Sequence, residues 1–495
     1  MKFSPKYATL AFASVAMTVS SVAQARSSKP NIIYFLSDDL GIGDLGCYGQ
    51  KYIETPNIDK LAKQGKLFNN MYSGSAVCAP SRGSFITGRH TGHGQIRGNR
   101  GGAIRGQFPL DPKTPTIAKM LKKQGYVTGI VGKWGLGGPY TKSKPNDQGF
   151  DFFYGLLDQW RAHNFYLTYY YKNTTAIPTK NKPQELKDCL LPCQDLNDSK
   201  NYKKYTDVDY GPTLMINEAL KFIDRNKKKP FFLYYATTIP HVALQAPKSW
   251  VDKYRKKFDK LGIKETPYDG IHGTPGGGYL PCQYPRATYA AMVSYMDYNL
   301  GLLMKKLEKL GLANNTLIIF TSDNGPTFNG GTDSKFFKSA RNSRGLKCSL
   351  YEGGIRVPFI AKWPGKIKPG TVTEQVAGFW DMMPTFAAIT GATSPKTDGV
   401  SLLPALTSDK IVKHPKGLYW EEGSRQQALR VGDWKIIRVK PKRPFELYNL
   451  KDDERESKNL AKSNPEKFKE MKKLIEAART PSKNFPFLGI DKPLK

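Results

Sequence analysis

Apolar residues along this chain come in short unbroken runs that stop abruptly at polar residues. "NIIYFLSDD" is apolar through 32–36 and then reaches Asp38 and Asp39. "GYVTGIVGKWG" runs through Val131 into Lys133, and "PFFLYYATTIPH" runs from Phe231 to Tyr235 and arrives at His241. "NTLIIFTSDNG" spans Thr316 to Phe320 and delivers Asp323 and Asn324. Strand-length runs that are apolar on both alternating faces are buried on both, which predicts a mostly parallel sheet.

Helical patterns lie between these runs. "TPNIDKLAKQG" predicts a helix with Thr55 as cap, Pro56 in the first turn and Gly65 at the end. "TPTIAKMLKKQG" repeats that design from Thr114 to Gly125, and a longer helix is expected from about Ala287 to Leu310, closing at Gly311. Strand and helix alternation predicts an α/β fold. Ligands in such folds sit beyond the carboxyl ends of the strands. Asp38, Asp39, Lys133, His241, Asp323 and Asn324 all fall there.

After about residue 410 the texture changes. "GLYWEEG", "ALRVGDWKIIRV" and "PFELYNL" read as short antiparallel strands around turns, followed by a basic helix at 464–478. The expected division is an export signal at 1–25, a large α/β domain at 26–410 and a smaller C-terminal α+β domain at 411–495. The signal rests on Lys2 and Lys6, the short apolar stretch "YATLAFASVAMTV" and the A-x-A pattern Ala23-Gln24-Ala25. No later segment is apolar for long enough to span a bilayer. The expected product is soluble, in the periplasm or outside the cell.

Charge narrows the partner. A formal net charge of +34, two of it lost with the signal, favours polyanions. No nucleic-acid motif is present and export argues against that class, so a sulfated or otherwise acidic polysaccharide fits better. Six cysteines are too few to build the fold from disulfides. Cys189 and Cys193 in "CLLPC" are close enough for a local bridge, whereas Cys47, Cys282 and Cys348 have no obvious partner.

The candidate chemistry begins with the acids. Asp38-Asp39 at one strand end and Asp323-Asn324 at another offer hard oxygen ligands, which suit Ca²⁺ or Mg²⁺ better than zinc. Lys133, Lys347, Arg82 and Arg89 add positive charge, and a metal with several cations would hold a tetrahedral oxyanion. His241 at a strand end could protonate a leaving group. Cys78 in "SAVCAPSRGSFITGRH" stands at the start of a helix-like run with arginines nearby, a placement for chemistry rather than for a bridge.

"CAPSRGSFITGR" matches the C-x-P-S-R-x-x-x-x-T-G-R signature of the formylglycine-dependent (type I) sulfatases of the alkaline phosphatase superfamily. "SDDLG", "GKWGLG", "SDNG", "YEGGIRVP" and "DMMPTFAAITG" are similar to that family's other blocks, in the same order, so the resemblance spans nearly all of the mature chain. It implies an alkaline phosphatase-like α/β fold, with a large mixed, mostly parallel sheet sandwiched by helices, and a sulfuric ester hydrolase. Cys78 would be oxidised to formylglycine by a maturation enzyme, and its hydrate would attack sulfur. Asp38, Asp39, Asp323, Asn324 and residue 78 would hold the cation, Ca²⁺ in preference to Mg²⁺. Arg82 would stabilise the nucleophile, Lys133 and Lys347 would grip sulfate oxygens, and His241 would protonate the departing oxygen.

One position departs from the pattern. Many members read G-K-W-H-L-G, with a histidine that assists the second step, where this chain has Gly135. His90, His93 and His163 are the candidate stand-ins, and His163 could equally touch the sugar. The chain is similar to sulfatases of polysaccharide-degrading bacteria, which implies sulfated galactose or N-acetylgalactosamine units as substrate. The tyrosines of "AHNFYLTYYYKN" are candidate stacking faces for sugars. The alternatives are a phosphodiesterase or phosphonate monoester hydrolase of the same superfamily, and a non-catalytic sulfated-glycan-binding homologue. Oligomeric state is not encoded in any of these signals.

Overall fold

The computed structural model describes residues 1, 29–101, 106–183, 194–271, 278–487 and 489–491. Beyond Met1, the expected export signal lies outside these residues, as do Cys189 and Cys193. No helix among the described residues is long and apolar enough to cross a membrane.

Ten strands form the main sheet: β1 Asn31–Ser37, β2 Lys66–Tyr72, β3 Val127–Lys133, β4 Phe152–Leu156, β5 Tyr169–Lys172, β6 Thr175–Pro178, β7 Phe231–Ala236, β8 Thr316–Ser322, β9 Phe359–Lys362 and β10 Thr371–Gly378. Their order is β10-β2-β9-β8-β1-β7-β3-β4-β5-β6. The centre, β8-β1-β7-β3-β4, is parallel throughout. Antiparallel β9 joins it to β2, and antiparallel β5 and β6 close the other edge. The sheet is therefore mostly parallel, as the unbroken apolar runs predict, and the antiparallel strands make it mixed, as the family resemblance implies.

Side-chain alternation divides each central strand between two cores. Ile33, Phe35, Leu233, Tyr235, Ile318 and Phe320 pack under the helices Pro56–Lys63, Gly211–Asn226, Lys248–Lys260 and Pro285–Lys309. Ile32, Tyr34, Leu36, Phe232, Tyr234, Leu317 and Ile319 pack on the other face, under Cys78–Thr87, Ile117–Lys123 and Met382–Thr390. Each such side chain contributes about 1.5–3 kcal/mol of burial. The strand bearing Asp38 and Asp39 is thus clamped from both sides.

Two helix starts differ from expectation. Thr55 occupies the cap position, but its hydroxyl accepts from the Gly46 amide at 2.8 Å rather than from a helix amide, and donates to Asp59. The second helix is shorter, Ile117–Lys123, and its cap is Thr116, whose hydroxyl accepts from the Lys119 amide. Thr114 belongs to the preceding turn, donating its amide to Asp111. Pro115 therefore lies just ahead of the cap and outside the helix.

The smaller sheet contains β11 Leu418–Glu422, β12 Gln426–Val431, β13 Trp434–Arg438 and β14 Glu446–Asn449, antiparallel in chain order. Tyr419, Leu429, Ile436 and Leu447 on one face pack against Met471 and Ile475 of the helix Pro465–Ala477. Leu418, Trp420, Ala428, Ile437 and Tyr448 on the other face pack onto Tyr72, Ala76, Leu350, Ile355 and Trp380 of the large unit. The small sheet so buttresses the loop that leads from β2 to Cys78.

Candidate active site

Four neighbouring strands, β8, β1, β7 and β3, deliver polar residues at their carboxyl ends. Asp38 and Asp39 follow β1, and Asp323 and Asn324 follow β8; none is exposed. Asp39 turns the chain with φ 63, a left-handed conformation that aspartate tolerates better than bulkier residues. Its amide donates to Asp323 Oδ1 at 3.2 Å, and Asn324 Nδ2 donates to Asp39 Oδ1 at 2.8 Å.

Cys78 is the first residue of the buried helix Cys78–Thr87, and Gly88 ends that helix in the left-handed conformation. Its Sγ lies 3.4 Å from Asp38 Oδ1 and 3.5 Å from Lys133 Nζ. Arg82 stands one turn later on the same face. It donates to Asp323 Oδ2 through Nη2 at 2.7 Å and Nε at 3.0 Å, and to the Lys133 carbonyl through Nη1 at 2.8 Å.

Three buried carboxylates therefore meet three cations. Lys133 Nζ is 2.7 Å from Asp38 Oδ2, Lys347 Nζ is 2.7 Å from Asp39 Oδ2, and Arg82 holds Asp323. His241 joins through Nε2, 3.5 Å from Asp39 Oδ2, while its Nδ1 contacts the Val242 carbonyl.

The electrostatics follow from this crowding. Burial would raise the Asp38 carboxyl, but Lys133, His241, Arg82 and Lys347 together drive it well below the usual carboxylate range. Asp323 goes the other way, to about 6, through burial and the neighbouring Asp38 charge. Burial likewise lowers His241, and Lys347 adds to that. The Cys78 thiol is pushed well up by burial, against the pull of Lys133 and Lys347. An arginine-flanked helix start would ordinarily favour a thiolate. Here desolvation wins, and the thiol itself is not a ready nucleophile.

The donor set fits a hard divalent cation. Asn324 Oδ1 is buried without a hydrogen-bond partner, an acceptor that a cation would satisfy. Asp38, Asp39, Cys78 and His241 present ligand atoms within 4.8 Å of one another. Carboxylate and amide oxygens predominate, the ligands that suit Ca²⁺ or Mg²⁺.

Comparison with known proteins identifies the family. A profile of the sulfatase family matches residues 30–392. The chain belongs to the sulfatase family. It is a sulfuric ester hydrolase. A second profile, N-sulphoglucosamine sulphohydrolase, C-terminal, matches residues 346–480 of this sulfatase. The N-acetylgalactosamine-6-O-sulfatase of Bacteroides thetaiotaomicron is 31% identical, over 92% of this chain and 94% of that protein. The N-acetylgalactosamine-6-sulfatase of Homo sapiens is 30% identical, over 83% and 72%. The crystal structure of Ps i-CgsB in complex with k-i-k-neocarrahexaose superimposes with a TM-score of 0.72, at 28% identity, covering 92% of this chain and 94% of that one.

Not every residue marked in the sequence reaches the sulfatase's centre. Arg89 pairs with Asp398 at 3.1 Å, so it adds no charge beside Cys78. His93 Nδ1 lies 2.9 Å from Asp398 and the His90 ring packs on His93 with centroids 4.4 Å apart. These two histidines belong to a separate cluster built on Asp398, a residue the sequence reading passed over. His163 does come to the site: its ring lies parallel to His241, 5.2 Å away and tilted by 6°.

Gly135 has φ 76, and a Cβ there would fall 2.4 Å from Gln159 Nε2. Buried Gln159 thus occupies the space a side chain at 135 would enter. The tyrosine cluster is mostly structural. Tyr166 and Tyr170 are buried in the core, and the Arg161 guanidinium covers Tyr169 at 3.8 Å. Trp160 and Tyr279, whose rings contact His163 at 5.3 and 5.1 Å, carried no sequence motif. A W-x-x-H spacing within one turn was the available signal for Trp160; Tyr279 had none.

Proposed function

We propose that this sulfatase is exported and removes sulfate from a carbohydrate, with sulfated galactose or N-acetylgalactosamine units as substrate. The observation that carries the reading is Cys78 at a buried helix start, between Asp38 and Lys133, within three matched carboxylate–cation pairs. The relatives support the sugar: two are named for N-acetylgalactosamine sulfate, and Ps i-CgsB is bound to a neocarrahexaose. The +34 charge suits a polyanionic substrate.

Asp38, Asp39, Asp323, Asn324 and residue 78 would hold a divalent cation, Ca²⁺ in preference to Mg²⁺, which supplies Lewis-acid polarisation of sulfate oxygens. Oxidation of Cys78 by a formylglycine-generating maturation enzyme would supply an oxygen nucleophile in place of the reluctant thiol. Lys133 and Lys347 grip the sulfate and neutralise its charge. Arg82, doubly bonded to Asp323, fixes that carboxylate and the helix start together. His241 gives a proton to the departing sugar oxygen; an arriving sulfate anion offsets Lys347 and raises the imidazole's proton affinity. His163, stacked on His241, faces the sugar side. The division into 1–25, 26–410 and 411–495 gives an export signal, a catalytic domain and a buttress.

The deciding measurement is the mass of the tryptic peptide Leu67–Arg82 from the natively expressed protein. Formylglycine or its hydrate at position 78 is expected, together with sulfate release from sulfated oligosaccharides that far exceeds phosphate release from phosphate esters. An alkylatable thiol throughout would overturn the mechanism and favour a sulfated-glycan-binding role.

A further inference from the structure

The Gln159–His163 segment forms one wall of the site, and its parts point to a job that the catalytic residues do not perform. Trp160–His163 is a single 3-10 turn. The Trp160 amide donates to Asp158 Oδ1 at 2.6 Å and the Ala162 amide to the Gln159 carbonyl at 3.1 Å. Ala162 is fully buried, Arg161 is spread over Tyr169, and Gln159 lies against Gly135. The turn is therefore held in place along its length.

Yet Trp160 is 46% exposed. The exposed large aromatic side chains among the described residues are Tyr140, Trp160, Tyr298 and Phe328. Of these, only Trp160 connects by ring contacts to the centre. Its ring lies 5.3 Å from His163, which lies 5.2 Å from His241, whose Nε2 is 3.5 Å from Asp39. Tyr279 flanks the same line, 5.1 Å from His163 and 6.4 Å from His241. A row of aromatic faces so runs from the carboxylate–cation cluster to solvent.

We propose that Trp160 is the stacking platform for a sugar ring of the substrate next to the sulfated unit, and so sets the preference for oligosaccharides over small sulfate esters. This rests on the carbohydrate reading above. A sulfate gripped by Lys133 and Lys347 places its own sugar against His241 and His163. The neighbouring ring then reaches Trp160, whose large, rigid and partly apolar face suits the C–H face of a pyranose. A tryptophan carried on a turn already held in place orders less of the chain when it stacks.

The test uses the full mature chain, unaltered and as Trp160→Ala and Trp160→Phe, with Tyr298→Ala as a remote control. Turnover is measured on a small aryl sulfate and on a panel of sulfated galactan and glycosaminoglycan oligosaccharides. Trp160→Ala is expected to raise KM for the preferred oligosaccharide roughly 2- to 12-fold, with kcat and the aryl sulfate little changed. Trp160→Phe should keep most of the affinity while losing the saccharide-induced change in tryptophan emission. Equal losses on aryl sulfate and oligosaccharide would mean that Trp160 only supports His163, and would overturn the proposal. Unchanged KM for every oligosaccharide would overturn it while leaving the carbohydrate reading standing. If the unaltered chain neither binds nor cleaves any of the panel, the carbohydrate reading falls and this inference falls with it.

Discussion

Arg82 and Asp323, far apart in the chain, meet through two hydrogen bonds of 2.7 and 3.0 Å, with neither side chain exposed. The pair ties the helix that begins at Cys78 to the end of β8. Arg82→Ala would leave Asp323 and Asp38 as buried charges short of a partner, so a loss of about 3–5 kcal/mol in stability is expected. Arg82→Lys keeps the charge but loses the two-pronged bond and recovers only part. Chemical denaturation of both variants checks this; equal stability of Arg82→Ala and the unaltered chain would contradict it.

Cation removal should act on the same cluster. Stripping divalent ions with EGTA is expected to lower Tm, and Ca²⁺ should restore it, Mg²⁺ less so. At a hundredfold excess over Kd the linkage amounts to about 2.7 kcal/mol. Calorimetric scans with and without each ion give the answer, and an Asn324→Ala variant should show a smaller response because Asn324 Oδ1 has no protein partner.

Lys347 reaches Asp39 from the loop before the helix Glu352–Ile355. Removing its charge with Lys347→Met should cut kcat by roughly 10²–10³, the usual cost of losing one donor to developing negative charge. A KM effect with unchanged kcat would instead make Lys347 a simple binding residue.

Gly135 stands where the family resemblance leads one to expect a histidine. A side chain there must adopt φ 76 and displace Gln159, so Gly135→Ala should cost about 1–3 kcal/mol. Adding Gln159→Ala relieves the collision but not the backbone strain, and partial recovery in the double variant is expected. Full recovery would place the whole cost in the side-chain contact.

His90 makes stability depend on pH. Burial holds its imidazole at about 3, more strongly than Asp398 can raise it, with His93, Arg97 and Arg89 also opposing protonation. The unfolded imidazole binds its proton near 6.5, so between 6.5 and 3 the unfolded chain carries a proton that the folded chain lacks. Stability from this group is full above pH 6.5 and is lost as pH falls, by roughly 4–5 kcal/mol in total. Asp398, its carboxyl lowered against burial chiefly by His93, adds to the loss only at the acid end. His90→Gln should flatten the slope of Tm against pH between 6.5 and 4; an unchanged slope would assign the acid sensitivity elsewhere.

Much of this was readable from the chain alone. Four apolar runs each ended in the residues that meet at the centre, because a parallel sheet aligns carboxyl ends and a strand buried on both faces must be apolar throughout. Cys78 and Arg82 were readable as a pair by their helical spacing. Arg89 was misplaced because Gly88 ends that helix with φ 66, sending the following residues to Asp398 instead of along the same face. Asp398 itself had no marked neighbours in sequence.

The sequence by itself determined the strands, the polar residues at their ends and the signature around Cys78, since these depend on local periodicity and short spacings. Only the tertiary structure decided which carboxylate takes which cation, which histidine stands by His241, and what fills the space beside Gly135. Those choices depend on distances between segments that the chain folds together from far apart, and on burial. Desolvation pushes Cys78 up and Asp323 up while neighbouring charges hold Asp38 down, outcomes that no residue type carries in isolation.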